Sequence, residues 1–600
     1  MRPAELQPYR SGSPFGWAWD RVKNRIWAVE HAFERNKAAN RAVDDTRLRI
    51  LLVTAVFGTG FVALAVGASK AALFSSAQSQ GPVVAESSAR AELTDRNGRL
   101  LALDLMHYGV YLDPREVWDA PETRRGLTAV LPRLSARRLE RALKGDRRVH
   151  LMGGLTPQER AKVHALGFAG VSFEPEQRRV YPLGATAAHL IGFSDRGGQG
   201  LAGAERAFNE PLRANGGEAG PVALSIDLRV QAALEDELTF AAIDQQVKGA
   251  VGLVADVQTG EILALASYPD FDPGAPGAAT PEALLNRAAA SVYEMGSTFK
   301  GFTIAIGLDS GRVTRADTFD ATQPLRMAGR TVRDFHATNR VLPLEEVFTK
   351  SSNIGTSRIA LAIGPEIFSG YLKNWGLLEA APIELAESAR PILPAKWNEN
   401  TLASASFGHA VSVTPLMLTR AMLPVLNGGY QVPLTVRKLP AHYQPPRRRV
   451  LKESTSQAML ELMRANVVTG SGKSADIKGL RVGGKTGTGE KVVDGRYSSE
   501  LNISSFAAVF PSDGPPRTKR YFVLILMDEP KGGTTTGFGR TGGGAAAPPA
   551  GKVINRIAPF LGVTRVAEPP PAPLTVAAAP AVVAPAAAAP VAVAQAEAPR

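Results

Sequence analysis

At 600 residues the chain is too long for one compact core, so two or more domains are expected. Its 44% hydrophobic and 21% charged content is that of a globular protein, and the absence of cysteine excludes disulfides, thiol nucleophiles and cysteine-ligated metal. The net charge of +13 is partly concentrated near the N-terminus. No zinc-finger, helix-turn-helix or RNA-binding signature accompanies it, so nucleic-acid binding is not expected.

In chain order, residues 1–49 form a basic segment carrying Arg21, Lys23, Arg25, Arg35, Lys37, Arg41, Arg47 and Arg49. Ile50 to Ser69 follows without a charge, the length a bilayer span needs. A cleaved signal peptide would be shorter and nearer the start. The pattern predicts a retained transmembrane helix over 50–70, with the basic segment cytoplasmic and everything beyond Lys70 outside the inner membrane. Residues 71–88 are small and polar, a linker. From 89 to 220 an extended α+β module of modest core is expected. It opens on Leu93-Thr-Asp95 running into an Asn97-Gly98 turn, continues in strands Leu100–Leu103 and Tyr108–Leu112 on either side of a bend, and has helical spacing over 120–166.

A larger domain, 221–565, starts with an amphipathic helix from Val230 to about Phe240. The runs Gly249–Asp256 and Glu261–Ala266, around Thr259-Gly260, read as a hairpin. Helices are expected over Ser297–Ser310 and Leu416–Leu426, and antiparallel strands over Ile503–Phe510 and Tyr521–Met527. Strands at both ends with helices between predict a mostly antiparallel sheet covered by helices, an α+β fold. Residues 566–600 are nearly all Ala, Pro and Val, a composition that cannot build a packed core, and are expected to be disordered.

Three short motifs in the large domain carry chemistry. In Ser297-Thr-Phe-Lys300 the following residues Phe299, Phe302, Ile304, Ile306 and Leu308 predict a buried helix with Ser297 at its N-terminus. Free N–H groups and the helix dipole favour developing negative charge there. Lys300, three residues on, shares a face with Ser297 and is the candidate general base. That role requires its pKa, ordinarily about 10.4, to be lowered by burial or by a neighbouring cation such as Lys485. In Ser351-Ser352-Asn353 the Ser351 hydroxyl can relay a proton, and the Asn353 amide can fix a substrate amide or Lys300. In Lys485-Thr486-Gly487-Thr488 a cation and two hydroxyls can meet a substrate carboxylate, with Gly487 letting a substrate strand lie close. The backbone N–H groups of Ser297 and Thr488 are the candidate oxyanion hole.

Singly, each motif reads as ordinary cap or turn chemistry. In this order they form the S-x-x-K, S-D-N, K-T-G pattern of serine enzymes acylated by penicillin, with Ser352 in place of the aspartate. Gly479 to Thr486 also matches a phosphate-binding loop, but Gly487 and Gly489 are poor material for the helix that loop requires. Gly470-Ser-Gly-Lys-Ser474 is a weaker look-alike. The histidines, including His336 and His409, have no metal-ligand spacing and read as structural.

With these residues the chain resembles the class B penicillin-binding proteins, monofunctional peptidoglycan transpeptidases, over roughly residues 45 to 562, and among them the cell-division (septal) type. Asp95-Arg-Asn-Gly98, Arg179-Val-Tyr-Pro182, Gly200-Leu-Ala-Gly203-Ala-Glu205, Asn286-Arg287, Ser412-Val-Thr-Pro415 and Asn427-Gly-Gly429 also lie in the family's order. Met295 and Glu490 depart from the family pattern, and neither is expected to touch a catalytic atom. The resemblance implies the serine transpeptidase fold on a dimerisation-type pedestal. It also implies attack of Ser297 on a D-Ala–D-Ala carbonyl, resolution of the acyl-enzyme by a neighbouring stem-peptide amine, β-lactam sensitivity and no cofactor. Implied partners are a septal (SEDS-type) membrane glycosyltransferase and other divisome proteins, since no glycosyltransferase domain fits between the anchor and Leu224. An elongation-type transpeptidase, a D,D-carboxypeptidase or β-lactamase, and a silent β-lactam sensor or scaffold are the alternatives.

Overall fold

The computed structural model describes residues 89–567 except 218–219, 494–495 and 538, together with residues 50 and 52–65 and a few positions before them. The chain forms two units, Met1–Glu86 and Ser87–Arg600. In the first, Ile50 and residues 52–65 are helical. The rest of the expected 50–70 span, the 71–88 linker and most of the 566–600 tail lie outside the described residues. Among the described residues no helix is long and apolar enough to cross a membrane.

The second unit begins with a five-stranded sheet: β1 (Leu93–Thr94), β2 (Leu100–Leu112), β3 (Val149–Leu155), β4 (Val171–Val180) and β5 (Val222–Ala223). The Asn97-Gly98 turn is tied by Asp95, whose Oδ1 accepts from the N–H groups of Asn97 and Arg99 at 2.8 and 2.9 Å. The two strands expected around a bend are one, β2. Its residues Leu103 to Leu112 are paired without a break to Val180 through Val171 of β4, so polar Asp104 and His107 still have ladder partners. The far end holds a small core of Val110, Leu112, Leu127, Leu139, Leu151 and Val163 under α1 (Ala120–Val130), α2 (Ala136–Leu143) and α3 (Pro157–His164). At the near end the signatures around Arg179 and Glu205 explain each other. Glu205, fully buried, takes Arg90 at 2.6 Å and Arg179 at 2.7 Å, and Arg179 also reaches Asp104 at 3.1 Å.

The larger part is a three-layer sandwich. Its sheet runs β8 (Gly483–Val493), β9 (Arg496–Phe510), β10 (Tyr521–Asp528), β6 (Gly249–Asp256), β7 (Ile262–Tyr268), every neighbouring pair antiparallel. β6 and β10 are buried at all eight positions, which is why they read as unbroken apolar runs. Alternation still sorts their side chains. Phe522, Leu524 and Leu526 join the core beneath α5 (Lys300–Ser310), α6 (Asn353–Ile363), α7 (Pro415–Leu426) and α8 (Glu453–Val468). Val523, Ile525 and Met527 join the opposite core under α4 (Leu228–Asp244) and α9 (Ala547–Ile557). The covered antiparallel sheet expected from the sequence is therefore present, and β8, which carries the lysine motif, is its edge.

Removing Glu205 would leave buried Arg90 without its carboxylate and buried Arg179 with Asp104 alone. Glu205→Ala is expected to lower the unfolding free energy by about 3–5 kcal/mol, measured by urea denaturation, and a loss below about 1 kcal/mol would contradict this account.

Candidate active site

The first motif does not begin as an α-helix. Gly296–Phe299 is a single 3-10 turn that runs into α5 at Lys300. Thr298 Oγ1 donates to the Met295 carbonyl at 2.8 Å and holds the turn in place. Phe299, Phe302, Ile304 and Ile306 then sink α5 into the core, and Ser297 stays half-buried at its rim. Edge strand β8 crosses this turn at close range. A Cβ on Gly296 (φ +54°) would lie 2.4 Å from the Thr488 carbonyl oxygen, and one on Gly487 would lie 2.5 Å from that of Met295. The missing side chain of Gly487 thus makes room for the turn that carries Ser297. The same approach brings the residue before Ser297 against Thr488, and both residues of the expected oxyanion hole line one cavity.

Behind the turn both motif lysines are fully buried. Lys300 Nζ donates to the carbonyl of Ser351 at 2.5 Å and to its Oγ at 3.1 Å. Lys485 Nζ donates to the same Oγ at 3.1 Å and to the Thr486 carbonyl at 3.0 Å. The Ser351 hydroxyl is therefore held between two amines. Ser351 has φ +58°, a left-handed backbone that a residue with a side chain adopts at a cost. Burial, and then the nearby Lys485, hold Lys300 well below the usual lysine range against the opposing charge of Asp334. Burial lowers Lys485 to about 7. A lysine that can be neutral at ordinary pH can take a proton from a serine.

Ser297, Ser351, Asn353, Thr486 and Thr488 line one cavity of about 550 Å³. Alternation along β8 turns Thr486, Thr488 and Glu490 to it and Lys485 and Gly487 inward. Lys485 therefore faces Ser351 instead of offering its charge to the open cavity. The Thr488 hydroxyl accepts the Gly542 N–H at 3.0 Å, which leaves its own proton to donate. Thr486 Oγ1 lies 2.5 Å from Ser471 Oγ. The Asn353 amide donates to the Arg333 carbonyl at 2.9 Å, while Lys300 donates to Ser351, so Asn353 is left to meet a substrate amide rather than to hold Lys300.

Several lining residues escaped the sequence. His336 and His409, read as structural, both face the cavity. His409 stacks on Tyr497 at 4.9 Å between ring centres, and burial with the Arg330 and Lys300 charges holds its pKa down to about 4. Glu490 also faces the cavity, and its parity with Thr488 was the signal for it. Ser471 lay in the look-alike run Gly470–Ser474, and Asp334 had no signal at all. The phosphate-loop match is a decoy, because Lys485 and Thr486 lie within β8, paired with Ala507 and Phe506, and no helix follows.

Residues 250–555 match the family model described as the penicillin binding protein transpeptidase domain, and residues 85–197 match that of the penicillin-binding protein dimerisation domain. The chain is 56% identical over 575 residues to a probable peptidoglycan D,D-transpeptidase FtsI of Caulobacter vibrioides, covering 95% of this chain and 97% of that protein. It is 32% identical to the peptidoglycan D,D-transpeptidase FtsI of Escherichia coli K12, over 78% of this chain and 83% of that one. The crystal structure of penicillin binding protein 3 from Mycobacterium tuberculosis, complexed with aztreonam, shares the fold. Its TM-score is 0.63 at 23% identity, covering 80% of this chain and 97% of that one.

The geometry fixes a pH dependence. As pH falls through the lowered pKa of Lys300, the amine gains a proton and loses the capacity to activate Ser297, so acylation slows. Lys485→Ala removes a cation that disfavours protonated Lys300, so the acid limb moves to higher pH. Penicillin acylation rates from about pH 5 to 10 measure this, and a limb that stays or moves lower contradicts it.

Proposed function

The chain belongs to the penicillin-binding protein family of transpeptidases, and on that premise we infer a peptidoglycan D,D-transpeptidase that cross-links stem peptides through a serine acyl-enzyme in septal wall synthesis. The observation that carries the chemistry is the Ser351 hydroxyl held by Lys300 and Lys485 beside the cavity of Ser297.

Ser297 Oγ attacks the carbonyl of the penultimate D-Ala, and its proton passes to neutral Lys300. The backbone N–H groups of Ser297 and Thr488 take the oxyanion. The C–N bond breaks, and the leaving D-Ala amine receives the proton through Ser351, with Lys485 keeping that hydroxyl oriented. Thr486 and Thr488 hold the terminal carboxylate, and Asn353 offers its amide oxygen to the substrate backbone. The amine of a second stem peptide then attacks the ester and gives up a proton to neutral Lys300, which passes it to Ser297 Oγ as the C–O bond breaks, and the cross-link is made. A β-lactam enters the same path and stops at the acyl-enzyme.

The charge-free run Ile50–Ser69 behind a basic segment supports a single-pass inner-membrane anchor, with the N-terminus cytoplasmic and the catalytic domain periplasmic. The two domains matched here, a dimerisation domain over 85–197 and a transpeptidase domain over 250–555, use nascent glycan rather than make it, which supports a SEDS-type membrane glycosyltransferase and other divisome proteins as partners.

The purified protein is expected to be labelled covalently by a fluorescent penicillin, and Ser297→Ala to abolish labelling. Labelling that survives the substitution removes Ser297 as nucleophile. With a pentapeptide donor and an amine acceptor, cross-linked product should accompany D-Ala release, and hydrolysis alone would make the protein a carboxypeptidase. Depletion in cells should give filaments, whereas rounded cells would indicate elongation.

A further inference from the structure

The middle residue of the second motif is Ser352, where the superfamily pattern has an aspartate. The carboxylate is nonetheless present, brought in by another segment. Asp334 follows the short strand Arg330–Val332 and lines the cavity. Its Oδ2 accepts the Ser352 hydroxyl at 2.8 Å, and its Oδ1 accepts the Ile354 N–H at 2.9 Å. Beside it, the Arg333 carbonyl accepts the Asn353 amide at 2.9 Å. Ser352 is buried, and its oxygen accepts the Gly355 N–H at 2.9 Å, capping α6. Three hydrogen bonds therefore join residues 333–334 to the Ser-Ser-Asn turn, two of them ending on one carboxylate.

What this clamp adjoins is the strained residue of the site. Left-handed Ser351 precedes Ser352 directly, and in that conformation its carbonyl and hydroxyl both meet Lys300 while the hydroxyl also meets Lys485. Strain of this kind persists where the surroundings over-determine it. Charge acts along the same line. The charged and titratable groups facing Lys300 are Lys485 on β8, Asp334 on this loop and His409 in the loop after helix Glu399–Ser406. Of these, only Asp334 favours the protonated amine.

We propose that Asp334 is a positioning residue for the acyl-transfer reaction: it supplies from a neighbouring loop the carboxylate that S-D-N enzymes carry inside the motif, and it holds Ser351 within reach of both lysines. The inference rests on the transpeptidase reading above and adds to it a residue that none of the three motifs contains.

The test is acylation of the full-length protein in detergent by a fluorescent penicillin across pH, with thermal unfolding followed in parallel. The variants are Asp334→Ala, Asp334→Asn, Ser352→Asp and the double variant Asp334→Ala with Ser352→Asp. Asp334→Ala should slow acylation about tenfold to a hundredfold. It should also move the acid limb to lower pH, because Lys300 loses the anion that favours its charged form. Ser352→Asp alone should be damaging, since it sets a second carboxylate against Asp334. The double variant should recover most of the lost rate. If the alanine variant unfolds, the isosteric, uncharged Asp334→Asn carries the test with the same expected slowing and pH shift. Wild-type rates in the Asp334 variants overturn the proposal. So does slowing with an unmoved pH profile and no recovery in the double variant, which would make Asp334 a fold contact only. Wild-type protein that takes no penicillin overturns the transpeptidase reading itself, and this inference falls with it.

Discussion

Two buried amines share one hydroxyl at the centre of this site, and burial makes it costly to protonate both. Lys300 and Lys485 are fully enclosed, and both donate to Ser351 Oγ at 3.1 Å. Dehydration disfavours each charge, and each charge disfavours the other. Burial and Lys485 hold Lys300 well below its ordinary range, which gives it a capacity to take up a proton at ordinary pH that a lone surface lysine lacks. The rest of the domain serves this arrangement. The apolar turns of α5 keep the amine dry, the glycines of the crossing let β8 come close enough to bring Lys485, and the turn before α6 presents Ser351 to both.

The arrangement costs stability, and linkage gives the sign. An unfolded Lys485 titrates near about 10.4, while the folded group titrates at about 7. Between those values the unfolded chain binds more protons, so this group makes the fold less stable at neutral pH than at alkaline pH. The offset lies in the sheet behind it. β6 and β10 are buried on both faces by two separate cores, so the platform for β8 and β9 is rigid without help from the site. Strain at Ser351 and buried amines are tolerable on such a platform.

What could be read from the sequence divides by range. The motifs were legible because their chemistry lies in residue type and short spacing, and the sheet because doubly buried strands leave unbroken apolar runs. What presses on Gly487 is not legible locally, since the turn that carries Ser297 lies nearly two hundred residues upstream. His409 gave no hint of a cavity because its surroundings are Phe407 and Tyr497, distant in sequence or ordinary in kind. Asp334 was invisible for a related reason: a carboxylate that completes a motif eighteen positions later has meaning only once the loop has folded back. The continuity of β2 was missed because polar Asp104 and His107 look like a break until β4 is seen to pair with them.

The pedestal and the catalytic sandwich meet through hydrogen-bonded strand, not through a loose tether. β1 pairs with β2 on one side and in parallel with β5 on the other, Leu93 opposite both Ala102 and Val222. The chain then bridges from Leu224 to Arg437, and Ser225 Oγ donates to the Ile262 carbonyl at 2.6 Å at the start of β7. Asp95, which ties the first turn of the pedestal, also accepts the Leu228 N–H at 3.2 Å at the head of α4. Apolar residues from both parts, Leu93, Leu190 and Phe208 with Leu224, Ile226 and Leu265, belong to the core that also holds α5. Among the described residues the pedestal and the layer that carries Ser297 and Lys300 therefore share one core. Hydrogen bonds run alongside it from β1 to β5, then through the Leu224–Arg437 bridge to Ile262 at the head of β7, so the pedestal bears directly on the orientation of the active site.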